Sequence, residues 1–275
     1  MSAASPLPEP LATVRQHLFL SPHYDDIPLS AGATVNALAG AGRAPRILVI
    51  FGSEPDPAQP LSAFAGELHR AWGFSAEEVI ASRQAEERAA AATLGASTSV
   101  LPFRDAIYRG HQYLSDDDLF DFPTPADATL PDEIVGSLPL GEDQRAETRI
   151  YAPLGVGKHV DHQLAFLAGV ELVRRGWNVW FYEDIPYALK AGARESRLAE
   201  LSAYGLEPAA EIAAAPGWER KIDAILDYPS QLETVFRQYV GVGTSRDEIS
   251  AALLAYAIEA GDGTAVERFW QVSGD

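Results

Sequence analysis

The chain has 275 residues, 47% of them hydrophobic, and 21 basic against 39 acidic side chains give it a formal net charge of −18. Phosphate binding relies on clustered Lys and Arg, so this balance argues against a nucleic-acid or anionic-membrane partner, while the apolar content excludes an acidic disordered chain. With no cysteine, disulfides, thiolate metal sites and a cysteine nucleophile are excluded, and any metal has to sit on His and carboxylate.

The N-terminal MSAASPLPEPLATVRQ lacks the basic start and apolar run of a signal peptide, and no apolar stretch is long enough to span a bilayer. The expectation is a soluble, cytoplasmic protein without membrane insertion, with a frayed leader over 1–15. HLFLSP (17–22) reads as a strand, and IPLSAGATVNALAGAG as a helix with Pro28 in its first turn and a glycine-rich stop at Gly40 and Gly42. RILVIFG follows, a β-branched and aromatic run of the kind buried on both faces. Strand, helix and strand in this order make a βαβ unit, so the sheet should be parallel.

After a Pro-rich loop at 52–60, a long helix opens at Ser75, with Ser75 and Glu78 fitting a capping box and Gly95 closing it. Val79, Arg83, Ala90 and Leu94 share one face of that helix, which turns an arginine towards the packed side. TSVLPF, RIYAPLG and NVWFYEDIPY read as the third, fourth and fifth strands, with a helix over 161–175 between the last two. Residues 218–236 look like a helix broken around Pro229, and 245–260 like another, capped by Ser245 or Asp247. The stretch 105–147 carries eleven acids against Arg109 and Arg145, a net −9 that is half of the chain's total. It reads as an acidic, loop-like insertion, a solvated face or a gate over a site. The expected fold is one domain over 1–275, a Rossmann-like α/β structure with a largely parallel sheet of five or more strands, helices on both faces, and C-terminal segments wrapping one edge.

Three of the six histidines fall in two short motifs, SPHYDD at 21–26 and KHVDH at 158–162. Each follows a predicted strand and precedes a helix, which is the carboxyl edge of a parallel sheet, where ligand sites gather. His23, Asp26 and His162 offer two imidazoles and a carboxylate, a set that suits Zn²⁺ and leaves a position open for water. Asp25, next to a ligand, is free to act as general base. His159 is placed to be an electrophile or general acid, with Asp161 orienting it and favouring its protonated form. The alternative for Asp26 and Asp161 is that they merely cap helices.

These motifs, with SRQAEERAAAATLG, DAIYR, APLGVGKHVDHQ, YEDIPY and WERKIDAILDYPSQ in order, resemble the LmbE/PIG-L superfamily of zinc-dependent N-deacetylases acting mostly on N-acetylglucosamine-type sugars. The resemblance implies zinc on His23, Asp26 and His162, Asp25 as base, and His159 with Asp161 as acid or oxyanion stabiliser. It also implies a substrate contact for Arg83, whose bland alternative is an ion pair with Glu86 or Glu87. Asp105, just after a strand, either binds a sugar hydroxyl or starts a turn. Two departures stand out: Tyr24 and Ile27 replace the usual proline and glutamate of the first signature, and Gly157 stands where some relatives carry a mobile tyrosine, leaving Tyr108 or Tyr182 as alternative sources of a phenol. His17, His69 and His111 fit no spacing, and Trp218, Lys221 and Tyr228 read as packing residues.

The expected activity is zinc-assisted hydrolysis of an N-acetyl or other N-acyl amide on an amino sugar or sugar-containing metabolite, with one Zn²⁺ per chain. The expected partner is a small N-acetylated sugar or glycoside, with homo-oligomerisation left open. The alternatives are deacylation of a non-sugar or antibiotic-type intermediate, or an idle sugar- or metal-binding member.

Overall fold

A computed structural model describes residues 7–72 and 76–273. Its seven described strands form one sheet. Five are parallel: β1 (Gln16–Ser21), β2 (Arg46–Val49), β3 (Ser97–Val100), β4 (Thr148–Pro153) and β5 (Asn178–Tyr182). The predicted runs fall on these strands; the inner ones are covered from both faces, as in β4, where every residue is buried, while edge strand β3 leaves Val100 exposed. Each fully buried Leu, Ile or Phe contributes ~1.5–3 kcal/mol relative to exposure.

The spatial order β3-β2-β1-β4-β5 decides where a site can form. From β1 the chain winds outward to β2 and β3, and from β4 it winds the other way to β5. The reversal falls between β1 and β4, which pair from Gln16↔Thr148 to Phe19↔Tyr151. Connections leaving these two neighbours diverge, so a crevice opens at their carboxyl ends. The two His/Asp motifs are those connections.

The C-terminal segments do not wrap an edge; they extend the sheet. β6 (Leu206–Ala213) and β7 (Val266–Val272) are antiparallel, and β7 pairs antiparallel with β5 through Tyr182↔Phe269. Pro208 and the alanines of LEPAAEIA hide β6 from a propensity reading, and the register shift between Pro208 and Ala210 accommodates the proline at the sheet edge. Residues 7–15 are not frayed either. Glu9–Ala12 is a helical turn whose Leu11 is fully buried, and Arg149 donates to Thr13 Oγ1 at 3.1 Å.

The helix Asp26–Gly40 follows β1 and breaks its dihedrals at Ala31. Glu267 of β7 takes up backbone donors beyond the break, accepting from Ala33 N–H (3.0 Å) and Thr34 N–H (2.7 Å) while also holding buried Lys221 (2.7 Å). The next long helix is Ala76–Leu94; Ser75, the expected cap, lies outside the described residues. Val79, Ala90 and Leu94 are buried as the spacing requires. The helix Val160–Arg174 spans β4 to β5, and Trp218–Leu226 ends before Pro229, where a short turn takes over. Ser245 caps Arg246–Ala260 in a capping box with Glu248.

The acidic stretch is not loop alone: Leu130–Ser137 is a helix whose Ile134 and Val135 join the same core as Leu164 and Ala168. Among the described residues no helix is long and apolar enough to cross a membrane.

Candidate functional site

Where β1 ends, Ser21 Oγ donates to His23 O at 2.6 Å and the chain turns sharply at Asp25, whose φ of 84° lies in the left-handed region. For a non-glycine residue that costs about 1–2 kcal/mol. The turn sends consecutive carboxylates to different partners. Asp26 folds back to accept from His23 N–H at 2.7 Å, while Asp25 lies 3.5 Å from Arg83. Asp25 occupies the cap position of the helix yet makes no cap bond.

Where β4 ends, His159 itself caps the helix Val160–Arg174, its Nδ1 accepting from Asp161 N–H at 3.2 Å. One turn on, His162 Nδ1 is 2.6 Å from Asp184 Oδ1, a carboxylate just beyond β5. His162 Nε2 faces Asp26 Oδ2 at 3.5 Å and is buried without a hydrogen-bond partner. His23 Nδ1 is 3.8 Å from the same Asp26 oxygen, and its Nε2 is 2.8 Å from Asp161 Oδ2. The fold thus brings one ligand atom each from His23, Asp26 and His162 within 4.8 Å of one another, and does the same for His23, His159 and Asp161. Either group could hold a cation. In the first, both imidazoles are backed by a carboxylate, as metal-binding histidines commonly are.

The geometry corrects the expected role of Asp161. Its carboxylate does not orient His159: it accepts from Arg109 (2.6 Å), from Ala106 N–H (3.0 Å) and from His23. Arg109 holds it ionised, well below the usual carboxylate range. His159 is not favoured in its protonated form, because burial and then neighbouring His23 push its pKa well below the usual 6.5. It is a neutral imidazole with Nδ1 as acceptor and Nε2–H as donor.

Burial raises Asp25 to about 7, against the opposing pull of Arg83. Around His23 burial opposes charge, but Asp105, Asp161 and Asp26 outweigh it and raise the imidazole to about 9. Such a surplus of carboxylate is what a bound cation neutralises.

Arg83 does not pair with Glu86 or Glu87, which bond instead to Ser230 and to Tyr228 and Thr98. It reaches over the Tyr24 ring, donates to Tyr24 O at 3.0 Å and flanks Asp25. Asp105 starts a turn, its Oδ1 accepting from Ile107 N–H (3.1 Å), and its Oδ2 stands 3.7 Å from His23. Of these groups His23, Asp25, Asp26, Arg83, Asp105 and His159 border one cavity of about 800 Å³, with Phe120, Tyr187 and Tyr239 on its walls.

Neither alternative phenol reaches it. Tyr182 donates to Leu20 O at 2.8 Å and Tyr108 is bonded to His69 at 2.7 Å. Ile27 is fully buried with Phe19, Tyr24 and Val35, so a carboxylate at that position would be stranded in an apolar core.

Sequence reasoning missed Asp184, Arg109 and Tyr187. Asp184 had a signal: it follows a parallel strand, at the same sheet edge as the two motifs. Arg109 had a weaker one, as a rare base in an acidic stretch.

A switch-point crevice bearing paired His/Asp motifs, whose side chains could hold a metal ion, marks an α/β fold with a candidate metal site. Residues 18–173, more than half of the chain, match the GlcNAc-PI de-N-acetylase (PIG-L) family, and the chain belongs to it. It is 32% identical over 192 residues to a 2'-N-acetylparomamine deacetylase of Niallia circulans, covering 63% of this chain and 68% of that protein. With a protein of the same name from Streptomyces fradiae it shares 30% over 224 residues, 78% of this chain and 73% of the other. A solved deacetylase of the teicoplanin biosynthesis pathway is similar in fold, with a TM-score of 0.74 at 23% identity over 94% of this chain and 99% of that one. The protein is an enzyme, an amide hydrolase of the N-deacetylase kind.

Proposed function

We propose that the enzyme removes the N-acetyl group from an amino sugar within a multi-ring metabolite of the aminoglycoside type, using one zinc ion held by His23, Asp26 and His162. The observation that carries this reading is His162: Nδ1 is committed to Asp184, and Nε2 is buried, unpartnered and 3.5 Å from Asp26. A lone pair fixed in that way is a ligand in want of a cation. Three such ligands leave a fourth position open, the pattern of catalytic zinc. When bound, zinc supplies Lewis acidity and lowers the pKa of water from 15.7 to about 7.

The chain's own groups divide the remaining work. Asp25, held beside Arg83 at the cavity wall, takes a proton from the attacking water. His159, neutral, donates Nε2–H to the developing oxyanion. Arg83, whose Nε is buried without a partner, and Asp105 bind the sugar. The products are acetate and a free amine. A cavity of about 800 Å³ is in the range that holds a multi-ring ligand, and both curated relatives are named for 2'-N-acetylparomamine, an N-acetylated amino sugar compound.

The test is acetate release by zinc-loaded protein from 2'-N-acetylparomamine and from N-acetylglucosamine, alongside metal analysis. We expect about one zinc per chain and a preference for the larger substrate. Protein that stays metal-free with zinc supplied would sink the reading.

A further inference from the structure

Tyr187 opens the helical turn Tyr187–Leu189, three residues after Asp184. Its ring meets that of His162 edge-on, with centroids 5.3 Å apart at 84°, and Phe120 and Tyr239 pack on it at 6.0 and 5.2 Å. Gly157, at φ 85°, lies against the same ring. A Cβ there would sit 2.4 Å from Tyr187 Cγ and 2.5 Å from Cδ1, so only glycine leaves room for it. The ring is therefore fixed by its surroundings. Its hydroxyl, by contrast, has no hydrogen-bond partner among the described residues, although Tyr187 lines the cavity with His23, Asp26 and His159. Tyr187 is half-buried, so packing holds the ring while the O–H is left available to a group that enters the cavity.

We propose that Tyr187 donates its O–H to the carbonyl oxygen of the scissile acetyl group, and that residue 157 is glycine to admit the Tyr187 ring. This rests on the deacetylase reading of the cavity. As the water oxygen bonds to the acetyl carbon, the carbonyl π pair moves onto oxygen and the Tyr187 hydrogen bond strengthens. Collapse returns that pair and breaks the C–N bond, and the amine nitrogen receives the proton that Asp25 took from water. Tyr187 keeps its own proton throughout.

Tyr187→Phe keeps the ring against Gly157 and His162 and removes only the hydroxyl. We expect kcat to fall ~10²–10³-fold with KM little changed, and affinity for a tetrahedral methylphosphonamidate analogue of the acetamide to fall in parallel. Zinc content and melting temperature should match the parent, which separates loss of a donor from loss of packing. A variant whose kcat and analogue affinity both stay within about threefold of the parent assigns the phenol to packing and overturns the proposal. Failure of the deacetylase reading is recognised differently: the parent itself then releases no acetate from any N-acetylated sugar, and the proposal falls with it.

Discussion

Asp184 Oδ1 stands 2.6 Å from His162 Nδ1 in a fully buried pair, and Asp184 Oδ2 is in turn fixed by Val156 N–H at 3.0 Å. The imidazole is thereby locked in one tautomer and one orientation, with Nε2 turned to Asp26.

Asp184→Asn should loosen that lock without removing any proposed ligand. Outer carboxylates of this kind are worth ~10–100-fold in metal affinity. Zinc affinity measured by chelator competition should drop by that factor while the folded secondary structure, followed by circular dichroism, is retained. Unchanged affinity would mean that His162 is held by the helix alone.

Asp25→Asn should separate chemistry from metal. Asparagine tolerates the left-handed backbone that Asp25 adopts, so the turn into the helix survives. A general base is worth ~10²–10⁴ in rate, and kcat should fall within that range with zinc content kept at the parent level. Because the carboxylate is buried against its ionisation, the melting temperature should hold or rise. Full activity in the variant would remove Asp25 from the mechanism.

How much of this was readable beforehand follows from which interactions are local. β1, β4 and the helices after them are set by apolar runs and turn residues within a few positions, and the ligand motifs sit at their junctions, so both were legible. Strand β6 was not, because Pro208 and three alanines carry no strand propensity and pair only through β7, some sixty residues away. Asp161 was misread for a related reason. His159 lies two residues before it in sequence, but its carboxylate goes to Arg109 at 2.6 Å, and a buried charged donor outcompetes an imidazole already satisfied by backbone.

His17 gives a pH dependence away from the proposed site. It is buried beside Tyr151, with Nδ1 2.9 Å from the phenol oxygen, and burial followed by the charge of Arg149 lowers its pKa to about 4. The unfolded chain takes up a proton below pH 6.5 that the folded one refuses until about 4. The stability contribution is therefore whole above pH 6.5, declines as pH falls towards 4 and is flat below, an effect of up to about 3 kcal/mol. Urea unfolding of His17→Gln against the parent should show the gap between the two shifting by that amount across the window. Parallel pH profiles would mean that His17 titrates normally in the fold.

Arg109 ties the acidic stretch to the proposed metal centre. Its guanidinium donates to Asp161 (2.6 Å), Asp127 (3.1 Å) and Arg104 O (2.9 Å), and its carbon lies 5.2 and 5.1 Å from the Phe51 and Tyr113 ring centres. Asp127 is buried too, and accepts from Tyr113 O–H at 2.7 Å. Arg109→Met leaves two buried carboxylates without their cation, a loss of ~3–5 kcal/mol, or a melting temperature lower by roughly 10 °C. Asp161 then loses the partner that aims it at His23, so zinc affinity should also drop by about tenfold. Arg109→Lys keeps the charge but cannot span two carboxylates with one fork, and should fall between parent and Met on both measures. Calorimetry and chelator competition read the two effects separately. Should the Met variant melt with the parent and bind zinc as tightly, the acidic stretch would be only a cover over the cavity, with no hold on the residues beneath it.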